Sequence, residues 1–204
     1  MYSVVIPYLT TSKYIDECKR YLRLNSKYPH EIVDIVDETD VYYAFNSGVY
    51  KAKYDKVVLF SDDMFVSKNW DENFIKYISE DTVVTCNVVE PDPGGGVYRP
   101  FTNEHVLNIK YDCGDTLGKF DYPKFQSFVD SQTQPEVIHG AKGWYMPVGF
   151  HKKSFVGYPN IAKFPQSPND IVLLDVILPN VGYKFAKVNS FVYHFQRRSQ
   201  VVEA

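Results

Sequence analysis

The 204-residue chain has the length of one domain or of two tightly joined lobes, and it is long enough to bury a substantial core. Hydrophobic residues make up 45% and charged residues 23% of it, which excludes the disordered and fibrous classes. The 22 Lys and Arg against 25 Asp and Glu give a net charge of −3. This balance provides no general electrostatic attraction to nucleic acid or to an anionic membrane.

The cysteines and the N-terminal residues indicate in which cellular compartment the protein is expected. Cys18, Cys86 and Cys113 are odd in number and widely spaced, so they predict neither a disulfide framework nor a zinc motif and fit a reducing compartment. Residues 1–7 lack the features of a secretory signal, and no apolar run approaches the roughly 20 residues that span a bilayer. We therefore expect a cytoplasmic protein without a transmembrane segment.

The first half alternates β-branched runs with amphipathic stretches, the pattern of βαβ units that carry a mainly parallel sheet. Strands are predicted at 3–7, 31–36, 56–60 and 82–89, and helices at 12–23 (with Ser12 as N-cap), 41–52 and 70–79. The Pro- and Gly-rich residues 91–96 predict a loop. Beyond about residue 100 the pattern loosens, and it predicts helices near 115–131 and 170–178 and a last strand at 184–194.

An acidic motif, Ser61-Asp62-Asp63, follows the predicted strand that ends at Phe60. Ligands bind at the carboxyl ends of strands in open α/β sheets, and a hard cation held there by carboxylates can bridge phosphate oxygens. The alternative is that these residues only form a turn or cap a helix.

Several segments, in this order, resemble the nucleotide-sugar glycosyltransferases with a GT-A fold, particularly the inverting family-two group. The matching segments are 3–8, 31–37, 59–63, 168–173, 182–184 and 191–194, together with the spacing of Ala44, Asn46, Gly48 and Ala52. The resemblance implies an α/β fold with a mainly parallel, Rossmann-like sheet flanked by helices and a smaller acceptor-side region.

The same resemblance implies a function. It implies transfer of a sugar from a nucleotide diphosphate donor, with UDP favoured, to a hydroxyl of a glycan or glycoprotein acceptor, with inversion and with Mn²⁺ (or Mg²⁺) as cofactor. Residues 1–100 would form the nucleotide-sugar half and residues 101–204 the acceptor-side half of a single compact domain.

The resemblance assigns the acidic motif to the metal and the donor. Asp63 is the expected direct metal ligand, Asp62 the partner of the donor sugar or ribose, and Ser61 the partner of the ribose or of a water on the metal. Ser61 stands where the family has the first Asp of its DXD motif, and Phe45 stands where an Arg is common, so the sequence departs from the family at both positions.

The C-terminal segment supplies the remaining metal and phosphate residues. His194 would complete the metal site, and Arg197 or Arg198 would hold the pyrophosphate through a bidentate guanidinium. The alternatives are a core histidine and a solvated basic tail.

Asp170 is the candidate general base, since an inverting transfer needs a carboxylate opposite the departing diphosphate. Asn169 replaces the Glu that usually precedes it in the family. Residues 167–170 also suit a helix N-terminus, and both roles can coexist.

The donor base and ribose are assigned to the loops after the first two strands. Pro7, Tyr8 and Thr10 lie after the first strand, Asp37 after the second can accept from the uracil imide N–H, and Asn46 keeps the family's spacing. Residues 10–12 could instead cap the first helix. For the acceptor, residues 139–145 combine glycines with Trp144 and Tyr145 in a candidate sugar-binding loop, unless Trp144 is core.

Two other functions compete with this interpretation. A sugar-1-phosphate nucleotidyltransferase shares the layout, but the loop at residues 8–13 contains none of the glycines expected after its first strand. A carbohydrate-binding module or inactive relic would fail to turn over any nucleotide sugar. The short, tyrosine-rich chain also resembles the small capsid-glycosylating glycosyltransferase domains of large algal viruses, which implies a host-cytoplasmic domain of a longer protein.

Overall fold

The computed structural model describes residues 1–91, 97–99, 104–106, 108–143, 146–157 and 173–195. The strands in these residues are β1 (Tyr2–Tyr8), β2 (His30–Val36), β3 (Lys56–Leu59), β4 (Met64–Val66), β5 (Thr82–Glu90), β6 (Val97–Arg99), β7 (Glu104–Val106), β8 (Ile109–Lys110), β9 (Val137–His139), β10 (Val148–His151) and β11 (Lys184–His194). The helices are α1 (Ile15–Asn25), α2 (Val41–Lys51), α3 (Asp71–Tyr77), α4 (Tyr122–Asp130) and the short α5 (Leu178–Asn180), which continues a π-helical turn at Leu173–Ile177.

A nine-stranded sheet forms the centre of the molecule, with the order β2-β1-β3-β10-β5-β11-β4 and with β8 and β9 pairing β5 and β11. β1 runs parallel to β2 and β3, and β5 runs parallel to β11. β10 is antiparallel to both of its neighbours, β3 and β5, so β5 has the same direction as β3. The carboxyl ends of β1, β2, β3, β5 and β11 therefore lie at one edge of the sheet, and the predicted α/β fold with a mainly parallel core is confirmed.

The central strands are buried because their sequences are nearly continuous apolar runs. The side chains of β1 from Tyr2 to Ile6 and those of Val57, Val58 and Leu59 in β3 have no exposed surface. Phe65, Phe120, Phe125, Tyr193 and Phe195 pack their rings against one another at the β4–β11 side of the sheet. Core packing thus accounts for much of the aromatic content.

Helix α2 packs against the sheet through a glycine. A Cβ atom added at Gly48 would lie 2.2 Å from Cγ1 of Val5 and 3.3 Å from Cγ1 of Ile35. The close approach of α2 to β1 and β2 therefore requires glycine at this position. At the start of the helix, the Asp40 side chain accepts from the N–H of Tyr42 and so acts as N-cap.

The predicted N-cap of the first helix is wrong. α1 begins at Ile15, three residues after Ser12, and its N-cap residue is Tyr14, which makes no capping hydrogen bond through its side chain. The Ser12 hydroxyl is instead hydrogen-bonded to the carboxylate of Asp62. A residue that was expected to stabilise a helix end is therefore attached to the acidic motif.

The predicted helix near 115–131 is shorter than expected. A 3₁₀ turn at Leu117–Lys119 precedes α4, which starts at Tyr122 with Asp121 as N-cap and Pro123 in the first turn. Proline is suited to a first turn because its missing N–H has no intrahelical partner there. None of the helices in the described residues is long and apolar enough to cross a membrane.

Candidate active site at the carboxyl edge of the sheet

The titratable residues of the candidate site lie close together because the strands that they follow or end run in the same direction. Asp37 follows β2, Asp62 and Asp63 follow β3, Glu90 ends β5 and His194 ends β11. Because these strands are parallel, residues that are far apart in the sequence meet at one edge.

Asp63 and His194 are brought together by backbone pairing. β4 is antiparallel to β11, with Met64 opposite His194 and Phe65 opposite Tyr193. The Phe195 N–H also donates to the carbonyl oxygen of Asp63 at 3.2 Å. As a result, Oδ2 of Asp63 lies 3.5 Å from Nε2 of His194, with the Asp63 side chain 6% exposed.

The second ring nitrogen of His194 is held by another carboxylate. Nδ1 of His194 lies 2.6 Å from Oε1 of Glu90, a residue with no exposed surface. Burial by itself lowers the pKa of His194, but the charges of Asp63 and Glu90 and their hydrogen bonds outweigh it and raise that pKa to about 10. His194 therefore lies between two carboxylates, and its role as a metal ligand stays a prediction.

Asp62 faces the loop that follows β1. Its carboxylate accepts a hydrogen bond from the Ser12 hydroxyl, which in turn accepts from the backbone N–H of Tyr14 at 3.3 Å. Burial and the nearby charge of Asp63 raise the pKa of Asp62, and the Ser12 hydrogen bond opposes this shift. Behind the motif, the buried thiol of Cys18 donates to the carbonyl oxygen of Ser61 at 3.8 Å.

The predicted base and ribose residues lie around the ends of β1 and β2. Asp37, with a left-handed φ of 56°, donates its N–H to the Tyr8 carbonyl oxygen, and its Oδ1 accepts from the Thr10 N–H at 2.7 Å. Pro7 pairs with Ile35 in the β1–β2 register. The two loops are thus joined by main-chain and side-chain hydrogen bonds, which fix the position of the Asp37 carboxylate.

Tyr8 has a cationic neighbour that the sequence analysis did not identify. Nζ of Lys19 lies 3.0 Å from the Tyr8 hydroxyl, 4.5 Å from the centre of its ring and 2.9 Å from Oδ1 of Asp34. These contacts restrain the ring of Tyr8 at the mouth of the site.

Asn46 is tied to its own helix. It lies half-buried on α2, and its Nδ2 donates to the Tyr42 carbonyl oxygen one turn earlier at 2.6 Å. In the predicted acceptor loop, the Gly143 N–H donates to Oγ1 of Thr85 at 2.6 Å, and the ammonium of Lys142 lies 4.7 Å from the ring centre of Phe185. This part of the candidate acceptor loop therefore packs against β5 and β11.

Several predicted site residues lie outside the described residues. They are Trp144, Tyr145, Asn169, Asp170, Arg197 and Arg198. Their roles as acceptor loop, general base and phosphate ligands stay predictions.

Asp63 and His194 are the residues at this edge that bear on a divalent cation. Among the described residues, no group of three or more His, Cys, Asp and Glu side chains is arranged to hold a metal ion. The protein does, however, bring one buried carboxylate oxygen and one imidazole nitrogen to 3.5 Å, close to the separation of about 3 Å between adjacent ligands with bonds of about 2.1 Å. Asp63 and His194 would therefore fit as two ligands of a divalent ion.

Glu90 is the residue that the sequence analysis missed. Its signal was a charged residue at the end of an otherwise apolar strand, directly before the Pro- and Gly-rich segment. The burial of this carboxylate and its contact with His194 are visible only in the fold, and a fully buried carboxylate is rare without such a partner.

Comparisons with known proteins identify the fold. No protein-family model and no curated protein matches the chain. A crystal structure of GalNAc-T7 with UDP, GalNAc and Mn²⁺ matches with a TM-score of 0.59 and 14% sequence identity, over 95% of this chain and 43% of that one. The S. aureus TarS 1–349 structure matches with a TM-score of 0.55 and 13% identity, over 93% of this chain and 59% of that one.

The chain has a GT-A fold. It spans about half the length of these two solved chains. The GT-A fold predicted from the order of the motifs is thereby confirmed, and the acidic motif and His194 lie at the carboxyl edge of its sheet.

Proposed function

We propose that this chain is a metal-dependent glycosyltransferase that moves a sugar from a UDP-sugar to a hydroxyl of a glycan or glycoprotein, with inversion. One observation carries the proposal: the Asp63 carboxylate and the His194 imidazole lie 3.5 Å apart at the carboxyl edge of a GT-A sheet. The GalNAc-T7 structure, which contains UDP, GalNAc and Mn²⁺, supports the choice of nucleotide and ion.

Asp63 and His194 would hold Mn²⁺ (or Mg²⁺). The bound ion supplies positive charge that stabilises the departing diphosphate. The backbone pairing of β4 with β11 fixes the two side chains before ligand arrives, so they need little reorganisation when the site is loaded.

The loops after β1 and β2 bind the nucleotide in this proposal. The restrained ring of Tyr8 provides a stacking surface for the base, and Asp37 accepts from its imide N–H. Asp62, held by Ser12, hydrogen-bonds the donor sugar or ribose, and Ser61 hydrogen-bonds the ribose. Arg197 and Arg198 bind the pyrophosphate.

Asp170 performs the proton transfer. Its carboxylate accepts the proton of the acceptor hydroxyl while that oxygen attacks the anomeric carbon. The bond from the anomeric carbon to the diphosphate oxygen breaks, and its electron pair leaves with UDP. Attack from the face opposite the diphosphate inverts the anomeric configuration.

The testing experiment is a panel of UDP- and GDP-sugars, incubated with the protein with and without Mn²⁺ and assayed for nucleoside diphosphate. We expect Mn²⁺-dependent release of UDP from one donor, and proton NMR of the product with an acceptor should show the inverted anomer. The Asp63→Ala protein is the matched control, because it removes one expected ligand and leaves the rest of the sheet edge in place.

The panel also separates the competing functions. Release of pyrophosphate from a nucleoside triphosphate and a sugar 1-phosphate would replace the proposal with a nucleotidyltransferase. No release from any donor, together with no calorimetric binding of UDP or GDP, would overturn it in favour of a binding module or relic.

A further inference from the structure

Glu90 is a fully buried acid that contacts His194. It ends β5 with no exposed surface, after eight residues of which seven, Val83 to Val89, are also buried. An ionised carboxylate in such surroundings is destabilising unless it is paired. Oε1 has its partner in Nδ1 of His194 at 2.6 Å, whereas Oε2 has no hydrogen-bond partner among the described residues.

The sheet itself sets this contact. β5 and β11 pair in parallel with Val88 opposite Val192 and Val89 opposite Tyr193, so the next residues along the two strands are Glu90 and His194. The pairing of β5 with β11 therefore places the Glu90 carboxylate beside the His194 imidazole, and no loop is needed to form this contact.

The contact decides which ring nitrogen faces the site. Because Nδ1–H donates to Glu90, Nε2 is left to point toward Oδ2 of Asp63, at 3.5 Å. A histidine that binds a metal through one nitrogen usually donates from the other to a carboxylate or carbonyl oxygen, which fixes the ring and makes the ligating nitrogen more basic.

From this geometry we infer that Glu90 is a positioning residue for the metal site: it holds the His194 ring with Nε2 directed at Asp63 and strengthens that nitrogen as a ligand. The inference rests on the proposed function, since it concerns the same ion. Carboxylates in this role commonly contribute about 10- to 100-fold to metal affinity.

Two substitutions at Glu90 test the inference, with Mn²⁺ itself as the probe. Glu90→Gln keeps an acceptor for Nδ1–H but removes the charge, and Glu90→Leu removes both with a side chain of similar size. Titration of Mn²⁺ by electron paramagnetic resonance should show about tenfold weaker binding for Glu90→Gln and about 100-fold weaker binding for Glu90→Leu.

A second measurement detects the hydrogen bond of the His194 imidazole in the metal-free protein. Proton–nitrogen NMR of labelled histidine should show a low-field Nδ1–H signal for His194 in the wild-type protein. That signal should move upfield in Glu90→Gln and lose its hydrogen-bonded character in Glu90→Leu. A residue that only filled space would leave this signal unchanged.

Asp71→Asn is the matched control. Asp71 is equally buried, and its carboxylate accepts from the N–H groups of Lys27 and Tyr28, at 2.6 and 2.9 Å, and from the hydroxyl of Tyr2. Those partners lie away from the carboxyl edge of the sheet. We expect Asp71→Asn to lower the urea midpoint of unfolding while Mn²⁺ affinity and the His194 signal stay at their wild-type values.

The outcomes distinguish the inference from the function on which it rests. Wild-type Mn²⁺ affinity in both Glu90 variants, or an unchanged Nδ1–H signal in Glu90→Leu, overturns the inference and leaves the proposed function standing. A wild-type protein that binds no Mn²⁺ overturns both. A graded loss of affinity with the predicted change in the ring signal supports the positioning role.

Discussion

Phe195 donates its backbone N–H to the carbonyl oxygen of Asp63, and this hydrogen bond connects the acidic motif to the end of the last strand. The strand register continues the link, with Met64 opposite His194. Main-chain pairing therefore sets the spacing of the Asp63 and His194 side chains, and the pair is largely preorganised.

Asp63→Ala should abolish Mn²⁺-dependent donor binding and UDP release together. Loss of at least about 100-fold in turnover is expected, because metal stabilisation of a leaving group is worth several kcal/mol and each 1.4 kcal/mol is about a factor of ten. Asp16→Ala, which removes an exposed carboxylate in the first turn of α1, is the control. Turnover of Asp63→Ala at the level of that control would remove Asp63 from the mechanism.

His194→Ala should weaken Mn²⁺ binding and also destabilise the metal-free protein. The substitution leaves Asp63 and Glu90 buried without the ring that lies between them, a change that typically costs about 3 kcal/mol or more. Urea unfolding measures the second effect and Mn²⁺ titration the first. If Mn²⁺ affinity were unchanged, the assignment of His194 as a ligand would fail.

Ser12→Ala should lower kcat/KM for the donor by about tenfold, because Asp62 loses the hydroxyl that holds its carboxylate. The hydroxyl is hydrogen-bonded to the Asp62 carboxylate, and hydrogen bonds to charged groups are worth about 1.5 to 3 kcal/mol. Ser12→Thr keeps the hydroxyl and should retain activity near the wild-type value. Equal kinetics for Ser12→Ala and wild type would show that this contact does not position Asp62 for the donor.

Asp170→Asn should separate donor binding from transfer. The amide has nearly the shape of the carboxylate but cannot accept the acceptor proton, so calorimetric binding of UDP with Mn²⁺ should stay at the wild-type level while sugar transfer is lost. Normal transfer by the variant would refute the general-base role, and loss of UDP binding would assign Asp170 to the donor instead.

Gly48→Ala should lower the free energy of unfolding by about 1 to 3 kcal/mol, because the added methyl group would overlap Val5 under helix α2. Gly118→Ala is the matched control, since a Cβ there meets no atom within 4 Å. Urea denaturation of both proteins measures the difference. Equal midpoints would mean that α2 can shift away from β1 without loss.

The central strands β1, β3 and β5 could be predicted from the sequence because burial on both faces demands nearly continuous apolar runs, whereas the edge strand β2 was predicted from its β-branched residues. The strands β1, β2, β3, β5 and β11 follow their predicted ranges to within two residues at each end. The short strands β4 and β6 to β10 could not be predicted in this way, and β4 and β10 show why. β4 has three residues and β10 has four, and both are antiparallel segments whose pairing depends on partners far away in the chain.

In the candidate site too, residues in local motifs could be predicted from the sequence, whereas residues defined by tertiary contacts could not. Asp63 and His194 were predicted from local motifs, and the fold brings them together although 131 positions separate 63 from 194. Glu90 could be identified only from its contact with the His194 imidazole, since a lone acid at a strand end does not indicate which side chain it contacts. Ser12 was misassigned because a serine before an amphipathic run is a typical N-cap, whereas the tertiary contact with Asp62 takes precedence here.

The position of β10 in the sheet has a consequence for synthesis. When a ribosome has exposed residues 1–91, the nascent chain already holds β1, β2, β3 and β5, yet the strand that lies between β3 and β5 has not been made. Until residues 148–151 emerge, the facing edges of β3 and β5 remain open to other extended chains, a state in which strands aggregate readily. The other edge of β5 pairs with β11, so protection of strand edges during translation should matter from residue 91 until residue 194 has emerged.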